Sequence, residues 1–319
     1  MAKIPLYKEL PKREGSDMPL VWGVWGNDDQ LGMMNHITNE TVLEAIKTVR
    51  RGARFNLDLP LHIPFGAVNL PEGRRRRAPQ QTIYGLGGSG RDDKLDDFYL
   101  QGSTQWDGLT HVGDPVLGWY NSVKAEEITG EEGTKNGIEH WADFGIVARG
   151  VLVDMVRHFQ ATGRKWEVKS QEALQPQDFE AAMAAQGVSL KPGDMLLIRL
   201  GWVAAFRAAP TREERTNLIF PFEFSGLSGE APMWEFLWDH KICAVATDTP
   251  TVEVWPIPQG RPSLHLAISH LGLVLGEMFD LDTIADDCAQ DRRYEFLVTS
   301  SPLNLRGGVG SPPNAIVVK

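Results

Sequence analysis

The chain has 319 residues, a length that suits a single α/β domain, and its 42% hydrophobic and 23% charged residues are ordinary for a globular protein with a full core. The net charge of −10 argues against nucleic acid as a partner. Two cysteines in unrelated contexts imply no disulfide framework, and no uncharged apolar run is long enough to span a bilayer. We therefore expect a cytoplasmic protein that does not bind membranes.

The N-terminal region differs from the rest of the chain. Residues 1–37 are interrupted by prolines and are predicted to form an irregular arm, while residues 38–319 form a single domain. The domain is predicted to open with a helix over residues 41–50, because Thr38 is a good N-cap residue and Gly52 can end the helix.

Residues 60–96 are rich in Pro, Gly, Arg and Asp and show no sustained periodicity, so they are predicted to form a long ordered loop. The loop contains the run Arg74–Arg77, which could bind phosphate or another anion. A solvated loop is the favoured interpretation of this run, because Gly73 and Pro79 bracket it and the chain is acidic overall.

Predicted strands and helices are mixed along the chain, with no repeat and no clear linker, which is typical of one α/β domain. Strands are predicted at residues 55–59, 150–154, 193–199, 242–248, 294–299 and 315–318. Helices are predicted at residues 176–186, 233–241, 263–270 and 281–291.

The segment from residue 101 to residue 111 carries metal-ligand chemistry in Gln101, Gln105, Asp107 and His111. Carboxylate oxygen and imidazole nitrogen are the usual ligands of Zn²⁺ or Mn²⁺. On a strand these four positions share one face, and on a helix Asp107 and His111 lie one turn apart. The D-x-x-x-H spacing is weak by itself, so a polar loop without a metal is the alternative.

Two later pairs of residues are further candidates. His265 and Glu277 lie in an apolar stretch, where a carboxylate is costly unless it is paired or binds a metal. The alternative is a satisfied core histidine and a capping glutamate. Asp248 and Glu253 follow the predicted strand at residues 242–248, a position that suits an active-site acid and a loop anchor equally.

Several segments resemble the long branch of the cyclase superfamily of metal-dependent hydrolases, which includes kynurenine formamidase and isatin hydrolase. The matching segments are residues 25–35, 145–154, 193–202 and the C-terminal part from residue 248 to residue 312. The resemblance covers nearly the whole chain. It implies a swivelling β/β/α fold of the α/β class, a Zn²⁺ or Mn²⁺ centre, a small cyclic substrate, and a homodimer or homotetramer.

The short branch of this superfamily carries the motif His-x-Gly-Thr-His-x-Asp-x-Pro-x-His. With Pro115 in register only His111 is retained, because Asp107, Gly113 and Leu117 stand at the other functional positions. The segment instead matches Gln-x-x-x-Gln-Trp-Asp-x-x-x-His, the variant of the branch that contains zinc-dependent trans-dienelactone hydrolase.

The resemblance also implies a ligand set and a reaction. One divalent metal would be held by Asp107, His111 and His265, with Glu277 as a ligand or base and Gln105 as a weak ligand or an orienting group. Asp107, His265 and Glu277 are the expected catalytic residues, and the implied reaction is the opening of a lactone or of a cyclic or aryl amide by metal-activated water. A metal-assisted cyclase or dehydratase and a non-catalytic binding protein on a degenerate scaffold are the alternatives.

Overall fold

The structure, a computed structural model, describes residues 4–12 and 18–319. The predicted N-terminal arm over residues 1–37 therefore lies partly outside the described residues, and the division into arm and domain stays a prediction. Where the arm is described, Val21, Met33 and Met34 are buried in the main hydrophobic core.

The strands are short except at the centre of the molecule. In the described part of the chain they are β1 (Arg54–Asn56), β2 (Gln80–Gly85), β3 (Arg91–Asp96), β4 (Gln105–Asp107), β5 (Ile146–Asp154), β6 (Ala173–Leu174), β7 (Met195–Arg199), β8 (Gly226–Leu227), β9 (Ala244–Thr247), β10 (Leu275–Glu277), β11 (Glu295–Ser300), β12 (Gly310–Ser311) and β13 (Ile316–Val318). Nine of them form one mixed sheet in the order β1-β13-β11-β5-β7-β9-β10-β4-β12.

The centre of this sheet is parallel and buried. Strands β5, β7, β9 and β10 run parallel to one another, while β11 and β4 flank them in antiparallel pairs. The central strands consist of nearly continuous apolar residues, as expected for strands covered on both faces.

Helices cover the sheet. Over the residues that the structure describes they are α1 (Asn39–Ile46), α2 (Glu139–Phe144), α3 (Met155–Thr162), α4 (Pro176–Gln186), α5 (Trp202–Ala208), α6 (Arg212–Asn217), α7 (Ala231–Asp239), α8 (Leu266–Leu271) and α9 (Asp282–Asp291). Helices α1 and α4 pack on β5, and α3 packs on β7. No helix in the described ranges combines the length and the apolar character needed to cross a membrane.

The predicted α/β class is confirmed. Helix α4 has the predicted bounds, and Thr38 caps α1 as predicted, although α1 ends at Ile46 rather than at residue 50. The prediction of a long ordered loop over residues 60–96 was wrong for its second half, because β2 and β3 form an antiparallel hairpin there. Every residue of both strands is exposed, so neither strand buries one face. The sequence therefore lacks the alternation of apolar and polar residues that predicts a strand.

A second, smaller hydrophobic cluster lies beside the main core. It is formed by Trp202, Phe206 and Phe224 together with residues from the segment before the hairpin. Phe222 and Trp255 are half-buried against it. This cluster supports one wall of the candidate site described below.

Candidate metal centre

Strand pairing brings the first site residues together. In the antiparallel pair of β4 and β10, Gln105 lies opposite Glu277, and Asp107 lies on the same face as Gln105. Trp106 points to the opposite face, into the core. Gly276 allows this packing, because a Cβ atom there would lie 2.6 Å from the Trp106 ring. One face of this strand pair therefore carries three polar side chains and the other face is closely packed.

His265 completes a group of three potential ligands. It caps the N-terminus of α8, and its Nε2 atom lies 3.6 Å from Asp107 Oδ2 and 3.4 Å from Glu277 Oε1. One ligand atom from each of the three side chains lies within 4.8 Å of the others. Both carboxylates are buried. An imidazole and two carboxylates at this separation suit a single divalent cation.

Gln105 orients both carboxylates. Its Nε2 atom donates hydrogen bonds to Asp107 Oδ1 (3.1 Å) and Glu277 Oε2 (2.7 Å), which leaves Asp107 Oδ2 and Glu277 Oε1 facing His265. The Asp107 Oδ2 and Gln105 Oε1 atoms are buried and have no hydrogen-bond partner in the described part of the chain. Because an unpaired buried carboxylate oxygen is costly, a bound cation fits this set of residues. The ligand role of Gln105 itself stays a prediction.

His111 lies at the edge of the group. Its Nε2 atom is 3.6 Å from Asp107 Oδ1, and its ring centroid is 6.3 Å from that of His265. Attraction to Asp107 acts to raise the pKa of His111, but burial and the nearby charges of His265 and Arg76 outweigh it and lower that pKa. His111 lies outside the group of three converging ligand atoms, so its predicted role as a ligand stays a prediction.

Glu253 fixes the orientation of His265. Its carboxylate accepts hydrogen bonds from Ser263 Oγ (2.7 Å) and from the backbone amide of Leu264 (2.5 Å), and it contacts His265 Nδ1 directly. A histidine whose Nδ1 proton is held by a carboxylate presents the lone pair of Nε2 to a metal. Of the two acids that follow β9, Glu253 therefore belongs to the site.

Asp248 has the other role that its position suggested. Its buried carboxylate accepts hydrogen bonds from the backbone amides of Leu200 (2.6 Å) and Gly201 (2.8 Å). It thereby anchors the turn between β7 and α5.

Backbone strain marks both sides of the site. Val252, which precedes Glu253, has φ +49°, and Met278, which follows Glu277, has φ +55°. A left-handed backbone is rare for a β-branched residue, and such conformations cost ~1–3 kcal/mol each and cluster at functional sites. Hydrogen bonds from the Leu227 amide to the Val252 carbonyl (3.0 Å) and from Thr104 Oγ1 to the Met278 carbonyl (2.7 Å) hold these conformations.

The site's electrostatics favour a bound cation. Burial and the neighbouring Asp107 carboxylate raise the pKa of Glu277 to about 7. Burial also acts to raise the pKa of Asp107, but His111 and His265 outweigh it and hold that pKa below its ordinary value. Burial opposes protonation of His265, yet the adjacent Asp107, Glu253 and Glu277 carboxylates raise the pKa of His265 well above its ordinary value. Without a metal, the group therefore holds protons that a cation must displace.

A pocket of about 320 Å³ opens above these residues. Its lining combines polar residues, among them His111, Glu253, His265 and Glu277, with apolar residues. The apolar residues include Val112, Phe222, Trp255 and Ile257. Phe222 and Trp255 meet because a bridge joins Phe224 to Trp255, which are distant in sequence. No spacing in the sequence could have predicted this wall.

The expectation of a solvated Arg74–Arg77 run was wrong for two of its four residues. Arg75 and Arg77 are exposed, whereas Arg74 and Arg76 are half-buried. Arg76 lines the pocket. The flanking Gly73 and Pro79 predicted the loop but could not predict that it folds back over the site.

Comparisons with known proteins identify the family. The family model described as Putative cyclase matches residues 39–254. A crystal structure described as a novel cyclase is 32% identical, with a TM-score of 0.80 over 94% of this chain and 99% of that chain. No curated protein matches the chain.

Two isatin hydrolases show the same fold at lower identity. Isatin hydrolase A from Labrenzia aggregata, solved with benzyl benzoate, is 16% identical, with a TM-score of 0.55 over 86% of this chain and 94% of that one. Isatin hydrolase A from Ralstonia solanacearum is 15% identical, with a TM-score of 0.53 over 89% and 98%. The resemblance inferred from the sequence motifs is confirmed, and the chain belongs to the Putative cyclase family.

Proposed function

We propose that this chain is a metal-dependent hydrolase that opens a lactone or a cyclic or aryl amide. The observation that carries the proposal is the convergence of Asp107, His265 and Glu277 within 4.8 Å. A buried Asp107 oxygen there has no hydrogen-bond partner among the described residues, and His265 and Glu277 line an open pocket. Membership of the cyclase family supports an enzyme of the hydrolase superfamily.

Asp107, His265 and Glu277 would hold the ion, with His111 as a further ligand and Gln105 orienting the two carboxylates. Zinc or manganese suits a mixed set of carboxylate and imidazole ligands. When bound, such an ion lowers the pKa of coordinated water and polarises the carbonyl group of the substrate.

Glu277 is the residue best placed to move a proton. Its Oε2 atom accepts the hydrogen bond from Gln105, and its Oε1 atom faces the pocket side of His265. Burial and Asp107 raise its pKa to about 7 when no ion is bound, so a Glu277 carboxylate that does not itself coordinate the ion would accept a proton from the attacking water and return it to the leaving group at neutral pH. Glu253 holds His265 in place throughout.

The apolar residues of the pocket would hold the ring. Phe222 and Trp255 offer flat faces, and a pocket of about 320 Å³ accommodates a small ring system. Packing of an aromatic or unsaturated ring there would exclude bulk water from the scissile bond.

The experiment is a hydrolysis screen of lactones, aryl amides and isatin-like rings before and after removal of metal by a chelator. We expect ring opening that chelation abolishes and zinc or manganese restores. His265→Ala should lower kcat by ~10²–10⁴-fold through loss of the site. The matched control His158→Ala changes a histidine on α3, outside this pocket, and should leave activity unchanged.

Other outcomes would contradict the proposal. Ring closure of open-chain acids without ring opening would identify a cyclase or dehydratase. Reversible binding of rings by a metal-free protein without turnover would identify a binding protein.

A further inference from the structure

Arg76 is a cation on the wall of the candidate metal pocket. It lines the pocket together with His111, His265 and Glu277 and is half-buried. Its charge is close enough to act electrostatically on Asp107, His111 and Glu277. Nothing in the proposed reaction described above uses it.

The other partly buried or paired arginines of the same run have structural partners. The Arg74 guanidinium lies 5.3 Å from the Phe222 ring centroid and also lies over Phe65 and Phe220. Arg77 lies 3.5 Å from both the Asp97 carboxylate and the Tyr99 hydroxyl. These contacts fix the loop on both sides of Arg76.

Arg76 itself makes no hydrogen bond and no ion pair with any residue that the structure describes. A half-buried guanidinium without a counterion is unfavourable, and its five N–H donors form a rigid fork that matches a carboxylate. The absence of a protein partner therefore points to a ligand.

The charges of the site support an anionic ligand. A divalent cation neutralises Asp107 and Glu277, and the Glu253 carboxylate is occupied by hydrogen bonds with Ser263, Leu264 and His265. Arg76 is then the one charge on the pocket wall that none of these contacts compensates. The apolar residues of the lining, which include Phe222 and Trp255, offer no charge to pair with it.

We propose that Arg76 binds a carboxylate of the substrate, so that the substrate is a small ring lactone or amide that is already an anion before the ring opens. This inference rests on the proposed function. The ring would lie against the aromatic wall, the scissile carbonyl would face Asp107, His265 and Glu277, and the carboxylate would accept two hydrogen bonds from the Arg76 fork.

The test begins with binding, which does not depend on turnover. Benzoate and benzamide differ in one charged group and are titrated calorimetrically into zinc-saturated protein. We expect benzoate to bind about 10- to 100-fold more tightly than benzamide, the range expected for hydrogen bonds to a charged group. Arg76→Gln should abolish the preference and Arg76→Lys should restore part of it. Arg75→Gln, the matched control from the exposed neighbour, should keep the preference.

A second arm separates this inference from the proposed function. The lactone 5-carboxyphthalide and its methyl ester are compared as substrates, and Arg76→Gln should raise KM for the carboxylate alone. Equal binding of benzoate and benzamide by the wild type, or an undiminished preference in Arg76→Gln, overturns the inference while ring opening still supports the hydrolase. If the Arg76→Gln variant loses zinc but keeps the benzoate preference, Arg76 is a counterion of the metal ligands. This outcome also overturns the inference. If the protein prefers benzoate and the preference depends on Arg76, but the protein opens no ring, the hydrolase proposal is refuted and the anion site is supported.

Discussion

At the scale of single residues, the imidazole of His265 is held from both sides. Glu253 contacts its Nδ1 atom, while Asp107 and Glu277 lie within 3.6 Å of its Nε2 atom. A histidine between carboxylates on both ring nitrogens has little rotational freedom. Its position is thus defined before any ligand arrives, which favours tight binding of an ion.

Glu253→Gln tests this arrangement. The amide keeps the size of the side chain but is uncharged and has a single acceptor oxygen, so it cannot accept hydrogen bonds from both His265 Nδ1 and the Leu264 amide. We expect metal affinity to fall by ~10–100-fold, with the circular dichroism spectrum unchanged. Affinity is measured by competition with a coloured chelator. An affinity within twofold of the wild type would show that Glu253 does not position His265.

The affinity for metal should depend on pH. Without a metal, Glu277 has a pKa of about 7 and the pKa of His265 is raised well above its ordinary value. Both groups must lose their protons to bind a cation, so affinity is expected to rise with pH through neutrality and to fall below about pH 7. Competition titrations across this range, with calorimetry in buffers of different ionisation enthalpy, measure the protons released. Affinity independent of pH would contradict the assigned ligands.

At the scale of elements, the turn from β7 to α5 depends on one buried acid. The Asp248 carboxylate satisfies the backbone amides of Leu200 and Gly201 and does not reach the metal pocket. Two acids that follow the same strand therefore have separate roles, one in stability and one in the site.

Asp248→Ala should separate these roles. It leaves two buried amides without an acceptor, at a cost of ~1–3 kcal/mol each, so the free energy of unfolding should fall by ~2–6 kcal/mol. Metal affinity of the folded variant should match the wild type. Urea denaturation followed by metal titration measures both quantities. Loss of metal affinity without loss of stability would place Asp248 in the site.

Local signals explain which elements could be predicted from the sequence. Helix α4 has Pro176 in its first turn and Gly187 in the left-handed region at its end (φ +69°), so both of its ends are encoded locally. Strand β4 is only three residues long, and its chemistry could be assigned from a motif resemblance but not from spacing. Local periodicity could not show that β4 pairs with β10.

The site residues that were hardest to predict depend on distant contacts. Glu253 could serve equally as an anchor or an active-site acid until the fold placed it against His265. Arg76 looked like part of a solvated run, because the sequence does not show that Arg74 packs on Phe222 or that Arg76 lines the pocket. Both assignments depend on tertiary packing, which composition and charge patterns do not encode.

At the scale of the whole molecule, the hairpin of β2 and β3 is not covered by any other part of the chain that the structure describes. Ile83 and Leu86 are 65% and 61% exposed, and Leu95 is 42% exposed. A two-stranded hairpin is marginally stable alone in water, and exposed apolar side chains on such an element are typical of an interface. This agrees with the homodimer or homotetramer expected from the family resemblance, which stays a prediction.

We predict that the hairpin is buried against a second copy of the chain. Light scattering after gel filtration should give a multiple of the 35.5 kDa chain mass. The double variant Ile83→Asp with Leu86→Asp should shift the protein toward the monomer, because charges would be buried in the interface. Leu43→Asp, at a similarly exposed position on α1, is the control. A monomeric wild type, or an equal effect of the control, would refute this interface.

The central claim is the metal centre itself, and a crystal grown with zinc or manganese tests it most directly. We predict an anomalous difference peak at ~2.0–2.2 Å from Asp107 Oδ2, His265 Nε2 and Glu277 Oε1, the usual distance for oxygen and nitrogen ligands of zinc. No peak between these atoms in crystals soaked with either ion, or a peak that persists there in the His265→Ala variant with unchanged occupancy, would contradict the account.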